Sequence, residues 1–557
     1  MKSTVTFEPL PGCDFTPLIR ETLRNSACAR IEFRPGRYDF HPTFAAEHYL
    51  FVSNNDEGLK RIAFPLFGRE GIEIDGSGAH FIFHGGIVPF VLSGCADARL
   101  RGFSMDWAIP FHGEAEVLAA DPQGVDLHIC EGFSHRVTDG RLEFGTEPFE
   151  VKNILAFDTV RRETAFLARD NYGIGSRCTA RETGPSLVRL DAALSQPLPA
   201  PGDILAIMGE RRDFPGIVIA DSANVEIEDV AIHHAGGMGV IAQRSADLTL
   251  RQVTVAPPPG NHRMLSTTAD ATHFVNCRGT IRLLDCVFEN QMDDATNIHG
   301  LYAEIVRADG PDAVLVRLRH HQQFGVPIAV AGDRLEFVRG GTLATFHEAG
   351  AESVEVLNKE ITRIRLREPF AAELHPGDVI GNLTWNPDIE IQGCLCQGNR
   401  ARGFLVSSRG RTVIEGNTFH TPGAAILVAS DAYDWFESGH VRDMLIRRNR
   451  FDTCNYGIWG RAAIQILPRI AHPDPALPRY HRNIRIEDNT FAVFDPRIVL
   501  ARSVDGLTIT GNRVTSSDAY PAQNPGATAF DTQTCTGVTI ADNLIETASA
   551  AACATPA

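Results

Sequence analysis

A short apolar–polar–apolar run recurs along the second half of the chain. From residue 224 on, each run is followed by Asn, Asp or Cys and another apolar residue, as in VEIEDVAI, IRLLDCVF, IRIEDNTF and LTITGNRV. Alternation of apolar and polar residues with period two is typical of β-strands, and the polar residues between the runs are typical of turns. Each copy therefore predicts a strand, a turn and a second strand.

The copies follow one another at a nearly constant step. The position held by Asn or its replacement falls at nine places: Val230, Val253, Cys286, Cys394, Asn417, Asn449, Asn489, Asn512 and Asn543. The intervals are 23, 33, 108, 23, 32, 40, 23 and 31 residues, so the basic unit has 23 residues and some copies carry longer loops. A repeat of this size cannot bury its apolar face alone and has to stack on its neighbours. We predict an all-β protein built on a right-handed parallel β-helix; the alternative, a β-sandwich, would favour turn signals at intervals of roughly 8–12 residues.

The N-terminal part extends this pattern. The segments GIEIDGSGAHFIF and ARLRGFSM predict two further coils, and Phe103 occupies the equivalent position in the second of them. Upstream, Leu18, Ile19 and Leu23 fall on one face of a predicted amphipathic helix. An open end of a β-helix exposes unpaired strand edges, so we expect this helix to cap it.

Two long gaps interrupt the repeat. Phe103 and Val230 are 127 residues apart, and Cys286 and Cys394 are 108 residues apart. Both gaps open with a His-Gly pair followed by alternating β runs and close with Pro-Gly-Asp, which predicts two related small β-barrels inserted in the β-helix. The predicted domains are the discontinuous β-helix (1–112, 216–300 and 386–557), the first barrel (113–215) and the second barrel (301–385).

Composition and charge exclude several classes of function. The net charge of −17 argues against a protein that follows nucleic-acid phosphates or inserts a basic helix into a membrane surface. No apolar run of 18 residues occurs, and the first residues lack the apolar core of a signal peptide. We expect a soluble protein, cytoplasmic unless a leader has been removed, in which case secreted or periplasmic. A homo-oligomer is compatible with this sequence.

The cysteines indicate neither a metal site nor a cofactor. There are 12 of them, and their spacing lacks the paired pattern of zinc ligands. Cys286, Cys394 and Cys454 fall within predicted coils, where a free thiol acts as a small apolar side chain. A disulfide framework is the alternative for these cysteines. We expect a function without a cofactor.

Three aspartates are the strongest candidates for catalytic residues. Asp270, in STTADATHF, lies 24 residues before Asp294, and Asp293 and Asp294 form a pair in ENQMDDATNIHG. One coil of a β-helix rises about 4.8 Å, so this spacing stacks the carboxyl groups on adjacent coils. Carboxylates this close cannot all ionise easily, and a protonated one beside an ionised one supplies the general acid and the general base for cleaving a glycosidic bond. The alternative is a calcium site or a set of solvated turn aspartates.

Several side chains near the triad are candidates for binding a sugar. Sugar rings stack on aromatic side chains through their C–H faces, and sugar hydroxyls need hydrogen-bond partners. Each candidate also has a structural interpretation: a tryptophan can seal the junction with a barrel, a histidine can be satisfied in the core, and an arginine can form a structural ion pair. The candidates for substrate binding are Asn297, His299, Trp107, Trp385, Arg402, Arg409, Trp435 and Glu437.

Longer segments carry a resemblance to a known family. A β-helix with Asp270 and the Asp293–Asp294 pair resembles the polygalacturonase-type glycosidases. More specifically, the chain is similar to the glycoside hydrolase family 110 exo-α-1,3-galactosidases in YLFVSNN, AFPLFG, RGFSMDW, HHAGGMGVIAQ, ENQMDDATNIHG, NRARGFLVSSRG and DWFESGHV. The resemblance covers nearly the whole chain, including both inserts.

This resemblance implies an activity. Family 110 enzymes hydrolyse terminal α-1,3-linked galactose, such as that of the blood-group B antigen, with inversion and without a metal. By position in the motif, it implies Asp293 as the general acid and Asp270 and Asp294 as the general base or bases. The expected partners are terminal α-galactosyl oligosaccharides or glycoconjugates.

Three other functions remain open at this point. A polygalacturonase would need a cluster of basic residues facing the uronate, and the sequence places no such cluster next to the aspartates. A polysaccharide lyase would need calcium ligands and a basic residue as the base. A non-catalytic module would bind glycans without turnover. The second insert begins directly after NIHG, so we expect the acidic site at the junction with that insert, where a pocket for a chain end is favoured over an open cleft.

Overall fold

The computed structural model describes residues 3–145, 149–174, 178–370 and 372–546. Within these ranges the protein consists almost entirely of strands, with one α-helix, Thr16–Arg24. Three short 3-10 helices accompany it: Pro42–Phe44, Asn171–Gly173 and His321–Gln323. The prediction of an all-β protein is confirmed.

The main body is a parallel β-helix with three faces. The strands of each face pair in parallel with the equivalent strands of the coils before and after. The first face contains Ser3–Phe7, Cys28–Phe33, Glu73–Phe83, Ala96–Trp107, Ala223–Ile232, Ala246–Arg251, Arg278–Leu284, Asp388–Gln392, Arg411–Glu415, Asp443–Arg447, His481–Glu487, Val504–Thr510 and Thr536–Ala541.

The second face continues from the first through a turn in each coil. It begins with Gly36–Phe40 and uses the second halves of three long strands of the first face. Its remaining strands are Thr254–Val255, Val287–Glu289, Leu395–Gln397, Thr418–His420, Arg450–Asp452, Thr490–Val493, Arg513–Ser516 and Leu544–Glu546.

The third face carries the segments on which the aspartates lie. It starts with an antiparallel pair, Ala46–Leu50 with Gly58–Phe67, and then continues in parallel. Its other strands are Val88–Ser93, Ile217–Ala220, Val240–Gln243, Thr272–Val275, the start of Thr296–Ala308, Phe404–Val406, Ile426–Val428, Ile464–Ile466, Val499–Ala501 and Phe530–Asp531.

An internal asparagine ladder fixes the register of the C-terminal coils. The backbone N–H of Asn449 donates to Oδ1 of Asn489 at 2.9 Å, and its Nδ2 donates to the same oxygen at 3.0 Å. The same pair of bonds joins Asn417 to Asn449, Asn489 to Asn512, and Asn512 to Asn543. These buried amides satisfy one another, and the equivalent positions predicted from the repeat are confirmed.

The first insert leaves the β-helix after the coil that ends at Trp107. Its strands form a seven-stranded antiparallel sheet and a separate hairpin. In spatial order the sheet contains Glu163–Thr164, Asn153–Asp158, Ile204–Met208, His112–Asp121, Gly124–Ile129, Leu187–Asp191 and Thr179–Gly184; the hairpin pairs His135–Thr138 with Arg141–Phe144.

The second insert begins with a strand of the third face. The strand Thr296–Ala308 begins in the β-helix, pairs there with Thr272–Val275 and Phe404–Val406, and continues into the insert. Six antiparallel strands then close a barrel: Thr296–Ala308, Ala313–Arg317, Ile361–Leu366, Ala344–Val356, Arg334–Arg339 and Val379–Asn382. One continuous strand therefore ties the aspartate pair to this barrel. The short strand Glu437–Ser438 pairs with the same strand at Gly300 and Leu301.

The N-terminal helix packs on the first coils. Ile19 is fully buried and Leu23 is packed against the core, whereas Leu18 is 42% exposed. Only one side of this nine-residue helix contacts the β-helix, so the apolar stripe is narrower than predicted. None of the described helices is long and apolar enough to cross a membrane. The described cysteines are all free, and Cys286, Cys394 and Cys454 are buried in the coils as predicted.

Candidate active site

Asp270 and Asp294 lie directly above one another on adjacent coils. The strands that follow them are in register, with Thr272 opposite Thr296. The backbone N–H of Asp294 donates to Oδ1 of Asp270 at 3.2 Å. One carboxylate oxygen from each of Asp270, Asp293 and Asp294 lies within 4.8 Å of the others. The period of the repeat has thus gathered three carboxyl groups at one point.

These carboxyl groups lie in a cavity of about 680 Å³ between three parts of the molecule. The β-helix forms its base. The first insert supplies Asn153 and Gly209, and the second supplies His320 and Gln322. Later coils complete the wall with Trp435, Glu437, Trp459 and Arg469. A cavity enclosed on several sides suits a small ligand or the end of a chain.

Asp293 is the carboxylate most open to the cavity, and arginines surround it. Its side chain is 18% exposed, and its Oδ2 accepts a hydrogen bond of 3.0 Å from Nη2 of Arg212. Arg400 and Arg402 approach its Oδ1 at 3.7 Å and 4.0 Å. Burial alone would raise the pKa of Asp293, but Arg400, Arg212 and Arg402 together hold that pKa below its ordinary value. These three arginines therefore favour the ionised form of Asp293.

Asp294 is held by one arginine. Nε and Nη2 of Arg402 donate to its two carboxylate oxygens, each at 2.8 Å, and the backbone N–H of Arg402 adds a third bond of 2.9 Å. The side chain of Asp294 is 1% exposed. Burial raises the pKa of Asp294 to about 7, although Arg402 opposes the shift. The bidentate pair fixes the orientation of this carboxyl group.

Asp270 contacts a histidine instead of an arginine. Its Oδ2 lies 2.5 Å from Nδ1 of His273, and Nε2 of His273 lies 2.9 Å from Nε2 of His299. Burial, with the nearby charge of Asp293, raises the pKa of Asp270 well above its usual range, and burial lowers the pKa of His273. Both shifts have burial as their main cause, and both favour the neutral form of the side chain.

Half of the predicted substrate-binding residues line the cavity. They are Asn297, Arg402, Trp435 and Glu437. Nδ2 of Asn297 donates to Oε1 of Glu437 at 3.3 Å, while Oδ1 of Asn297 is buried without a hydrogen-bond partner among the described residues. A ligand hydroxyl would satisfy this oxygen. Trp435 stacks on His320 of the second insert, with ring centroids 4.2 Å apart.

The other four predicted binding residues lie outside the cavity wall. His299 lies behind the cavity-lining His273, and its Nδ1 is 2.7 Å from the carbonyl oxygen of Gly300. Trp107 packs against Phe83 and Phe111 and closes the core at the first insert. Trp385 donates from Nε1 to Asp333 at 3.2 Å. Arg409 forms an ion pair with Glu336 of the second barrel. Trp107, Trp385 and Arg409 therefore have structural contacts, whereas His299 contacts the cavity only through His273.

Several residues of the site were not among the sequence-based candidates, and those closest to the aspartates and the aromatic wall are Arg212, His273, Arg400 and Trp459. The expectation that no basic cluster lies beside the aspartates is wrong, because Arg212, Arg400 and Arg402 converge there from distant segments. His273 could have been found, since it precedes Asn297 by one coil in register and follows Asp270 by three residues. Neither register nor spacing relates Arg212 to the aspartates, so the sequence did not indicate that it belongs to the site.

Trp459 forms part of the cavity wall together with Arg400. The guanidinium of Arg400 lies 4.7 Å from the centroid of its indole ring, and that of Arg402 lies 5.5 Å away. Its Nε1 donates to Oδ2 of Asp170 at 3.0 Å. The aromatic wall is therefore held in place from the first insert.

This arrangement suits acid–base chemistry better than cation binding. Three carboxylate oxygens within 4.8 Å would suffice for a metal ion, yet three guanidinium groups already balance the charge around Asp293. One ionised carboxylate beside two carboxyl groups of raised pKa provides both a proton donor and a proton acceptor. The site can therefore protonate a leaving oxygen and activate a water molecule.

Comparison with known proteins identifies relatives that align with more than nine-tenths of the chain. Residues 113–205 match the family described as GLAA-B beta-barrel domain I, and residues 313–380 match GLAA-B beta-barrel domain II. The protein named Alpha-1,3-galactosidase A from Shewanella woodyi is 38% identical, over 92% of this chain and 85% of its own length. The protein named Alpha-1,3-galactosidase B from Bacteroides thetaiotaomicron is 34% identical, over 93% and 85%.

Among solved structures, a family 28 exopolygalacturonase of Yersinia enterocolitica aligns with 97% of this chain and 79% of its own. The TM-score is 0.35 and the sequence identity is 10%.

Proposed function

The chain belongs to the α-1,3-galactosidase family, and from that membership we propose that its cavity hydrolyses terminal α-1,3-linked galactose from glycans. The observation that carries the proposal is the gathering of Asp270, Asp293 and Asp294 within 4.8 Å of one another inside this cavity. The substrates would be oligosaccharides or glycoconjugates that end in an α-galactosyl residue, such as the blood-group B structure or a linear α-1,3-galactoside.

The shape of the cavity supports action at a chain end. Both inserts contribute to its wall, through Asn153 and Gly209 on one side and His320 and Gln322 on the other. A long polymer would have to pass between these walls, whereas a terminal hexose needs only one opening. The volume of about 680 Å³ is sufficient for a sugar and part of the residue to which it is linked.

For the catalytic roles we propose Asp293 as the general acid and Asp270 and Asp294 as general bases. Asp293 is the most exposed of the three, at 18% of its side chain against 4% for Asp270 and 1% for Asp294, so a leaving-group oxygen has the easiest access to it. An acid has to be protonated. This role therefore requires the bound sugar to exclude water from Asp293 and to weaken its contact with Arg212, both of which raise its pKa.

The stereochemical outcome is a separate proposal. The family resemblance implies inversion, whereas an approach of 4.8 Å between carboxylate oxygens is closer to the separation of about 5 Å in retaining enzymes than to the roughly 6.5–9.5 Å of inverting ones. We propose inversion, with water held between the bases and the anomeric carbon. Inversion of an α-galactoside releases β-galactose first, and retention releases α-galactose first.

Four side chains of the cavity wall are proposed to hold the galactose. Oδ1 of Asn297, which has no partner among the described residues, accepts a hydrogen bond from one sugar hydroxyl. Glu437, which accepts a hydrogen bond from Nδ2 of Asn297, accepts another from a second hydroxyl. Arg402 positions Asp294 and contributes positive charge, while Trp435 offers an aromatic surface. His299 does not line the cavity. It contacts the carbonyl oxygen of Gly300 and the ring of His273, and through His273 it is connected to Asp270.

One observation favours a second candidate, an enzyme acting on acidic sugars. Arg212, Arg400 and Arg402 could face a uronate, as in a polygalacturonase. Their charges are already engaged by Asp293, Asp294 and Asp170, which favours a neutral sugar. A polygalacturonate substrate in the same assay separates the two candidates.

The decisive experiment measures galactose release from an α-1,3-galactosyl disaccharide and a B-type trisaccharide. We expect turnover by the wild type and a loss of several orders of magnitude in Asp293→Asn, because a proton transfer of this kind contributes about 10²–10⁴-fold or more. The matched control is Asp121→Asn, in the first insert and remote from the cavity. Undiminished turnover in Asp293→Asn, or glycan binding without turnover in the wild type, would refute the assignment.

The roles of the carboxyl groups are separated with α-galactosyl fluoride, whose leaving group needs no proton. Asp293→Asn should retain most activity towards the fluoride, and Asp270→Asn and Asp294→Asn should not. The opposite pattern would exchange the acid and base roles. NMR of the anomer released first from the natural disaccharide tests inversion.

A further inference from the structure

A chain of hydrogen bonds leads from Asp270 into the body of the protein. Oδ2 of Asp270 lies 2.5 Å from Nδ1 of His273, and Nε2 of His273 lies 2.9 Å from Nε2 of His299. Nδ1 of His299 lies 2.7 Å from the carbonyl oxygen of Gly300. Both histidines are almost completely buried, with side chains 1% exposed.

The carbonyl at the end of the chain determines where the protons are. A carbonyl oxygen only accepts hydrogen bonds, so Nδ1 of His299 carries a proton. Each of the two remaining contacts also needs one proton, because two ring nitrogens, or a ring nitrogen and a carboxylate oxygen, form a hydrogen bond only when one of them is protonated. The three side chains thus hold three protons between them. A carboxylate with two neutral histidines would hold two.

The extra proton makes the group Asp270, His273 and His299 neutral overall. When His299 is neutral, His273 donates from Nε2, its Nδ1 is an acceptor, and the proton in the short contact is shared with Asp270. A simple buried carboxylate would leave this contact without a proton. The geometry therefore describes a carboxyl–imidazole pair that already carries one proton.

We propose that His273 is the positioning residue that makes Asp270 a competent base, by taking up their shared proton as Asp270 receives a proton from the attacking water. This inference rests on the proposed glycosidase function and deepens it. It assigns the pair Asp270–His273, rather than Asp270 alone, as the base. His299 has the supporting role of fixing the tautomer of His273.

Two protons move in the proposed step. The water O–H bond breaks, its proton moves to a carboxylate oxygen of Asp270, and the water oxygen forms the bond to the anomeric carbon. At the same time the shared proton moves from Oδ2 of Asp270 to Nδ1 of His273, so Asp270 remains neutral and His273 becomes an imidazolium. The glycosidic oxygen leaves with a proton from the general acid.

The surroundings support this distribution of charge. Both oxygens of Asp294 are paired with the guanidinium of Arg402, whereas, among the described residues, Oδ1 of Asp270 accepts only a bond of 3.2 Å from the backbone N–H of Asp294. Burial raises the pKa of Asp270, which keeps the shared proton near the carboxyl group until water supplies another. The charged and titratable groups that act on His273 are His299, Glu437, Arg212, Asp293 and Asp270. Of these, Glu437 lies 3.5 Å from Nε2 of His299 and stabilises positive charge on the histidine pair.

The test is the pH–rate profile of His273→Asn. The asparagine amide can still donate to Asp270 but cannot take up a proton, so Asp270 has to ionise unaided in a buried site. We expect kcat at neutral pH to fall about 100-fold, KM to change less than about threefold, and the acidic limb of the profile to move up by about one pH unit or more. A purely structural histidine would leave that limb in place.

The matched control is His481→Asn. His481 is also fully buried in a coil and accepts a hydrogen bond from the backbone N–H of Val441, far from the aspartates. The His481→Asn variant should be less stable than the wild type, and its pH–rate profile should be unchanged. An unmoved acidic limb in His273→Asn would overturn the inference, whereas absence of galactose release by the wild type would overturn the proposed function instead.

A second measurement does not depend on the folding of His273→Asn. Imidazole ¹⁵N and ¹H NMR of the wild-type protein should show His273 protonated at Nε2, together with a strongly downfield proton resonance from the contact with Asp270. That resonance should disappear in Asp270→Asn. A His273 ring protonated only at Nδ1 would contradict the proposed distribution of these protons, because the Nε2–Nε2 contact would then require a second proton on His299.

Discussion

Asp170 of the first insert binds Arg400 of the β-helix through two hydrogen bonds of 2.8 Å. The same carboxylate accepts a bond of 3.0 Å from Nε1 of Trp459. Arg400 and Trp459 both line the cavity, and Arg400 approaches Asp293 at 3.7 Å. One carboxylate of the insert thus fixes two side chains that line the cavity around the three aspartates.

Replacing Asp170 by Asn should loosen this wall. The amide can accept from only one of its two terminal atoms and carries no charge, so Arg400 loses its bidentate partner. We expect kcat/KM for the galactoside to fall about 10–100-fold and the free energy of unfolding to fall by about 1–3 kcal/mol. Steady-state kinetics and urea unfolding measure the two effects.

The control for this variant is Asp121→Asn. Asp121 also belongs to the first insert and accepts a bond of 2.8 Å from Arg189, but its side chain is 51% exposed and remote from the cavity. It should leave kcat/KM unchanged. Equal kinetics for the Asp170 and Asp121 variants would show that the contact with Arg400 has no part in catalysis.

A second contact of the first insert should make stability depend on pH. Nε2 of His420 lies 2.5 Å from Oε2 of Glu163. Burial lowers the pKa of His420, but the hydrogen bond and charge of Glu163 outweigh it and raise that pKa above its ordinary value. A histidine whose pKa is raised by folding stabilises the protein fully below about pH 6.5, and this contribution is lost as the pH rises through the folded pKa.

Thermal unfolding between pH 6 and 9 tests this contact, and His420→Gln is the comparison. We expect the wild type to lose stability across this range and the variant to lose less, because glutamine does not titrate. Parallel curves for the two proteins would mean that the His420–Glu163 pair does not couple the insert to pH.

Catalysis should not depend on a divalent cation. Arg212, Arg400 and Arg402 already supply positive charge beside Asp293, which disfavours a cation at the same carboxylates. Galactose release should therefore be unchanged after dialysis against EDTA and after addition of calcium. Loss of activity with the chelator, restored by one particular metal, would assign a cation to the three aspartates.

The asparagine ladder should contribute strongly to stability. In Asn489→Ala the backbone N–H and Nδ2 of Asn449 lose their acceptor, and the carbonyl of Ile446 loses its donor. Unsatisfied buried groups of this kind cost about 2–4 kcal/mol together. Asn543→Ala, at the half-buried end of the ladder, should cost about half as much. Equal losses in urea unfolding would contradict a graded ladder.

The sequence predicted the parts of the molecule that depend on the repeat. The equivalent positions from Val230 to Asn543, the two inserts and the stacking of Asp270 under Asp294 all follow from the spacing of residues along one chain direction. A parallel β-helix converts a sequence period into a spatial stack, so these features needed no knowledge of long-range contacts.

The remaining parts of the site depend on contacts between segments that the period does not relate. Arg212 reaches Asp293 from the end of the first insert, 81 residues away, and Arg400 reaches Asp170 across 230 residues. The tryptophans show the same limit. Trp107 ends the strand Ala96–Trp107 and seals the core, whereas Trp459 lies in a loop and lines the cavity. The repeat pattern does not indicate which of these roles a tryptophan takes.

Each insert leaves and re-enters the β-helix at nearly the same place. In the first, His112 near the entry pairs with Met208 near the exit; in the second, Tyr302 pairs with Gly381. Coils on either side of an insert therefore stack on each other as if the intervening segment were absent, as Phe103 does with Val230. An insert could be lengthened, replaced or removed during evolution without changing the register of the coils. Substrate preference can thus diverge in the walls of the pocket while the carboxyl groups at its base stay in the same positions.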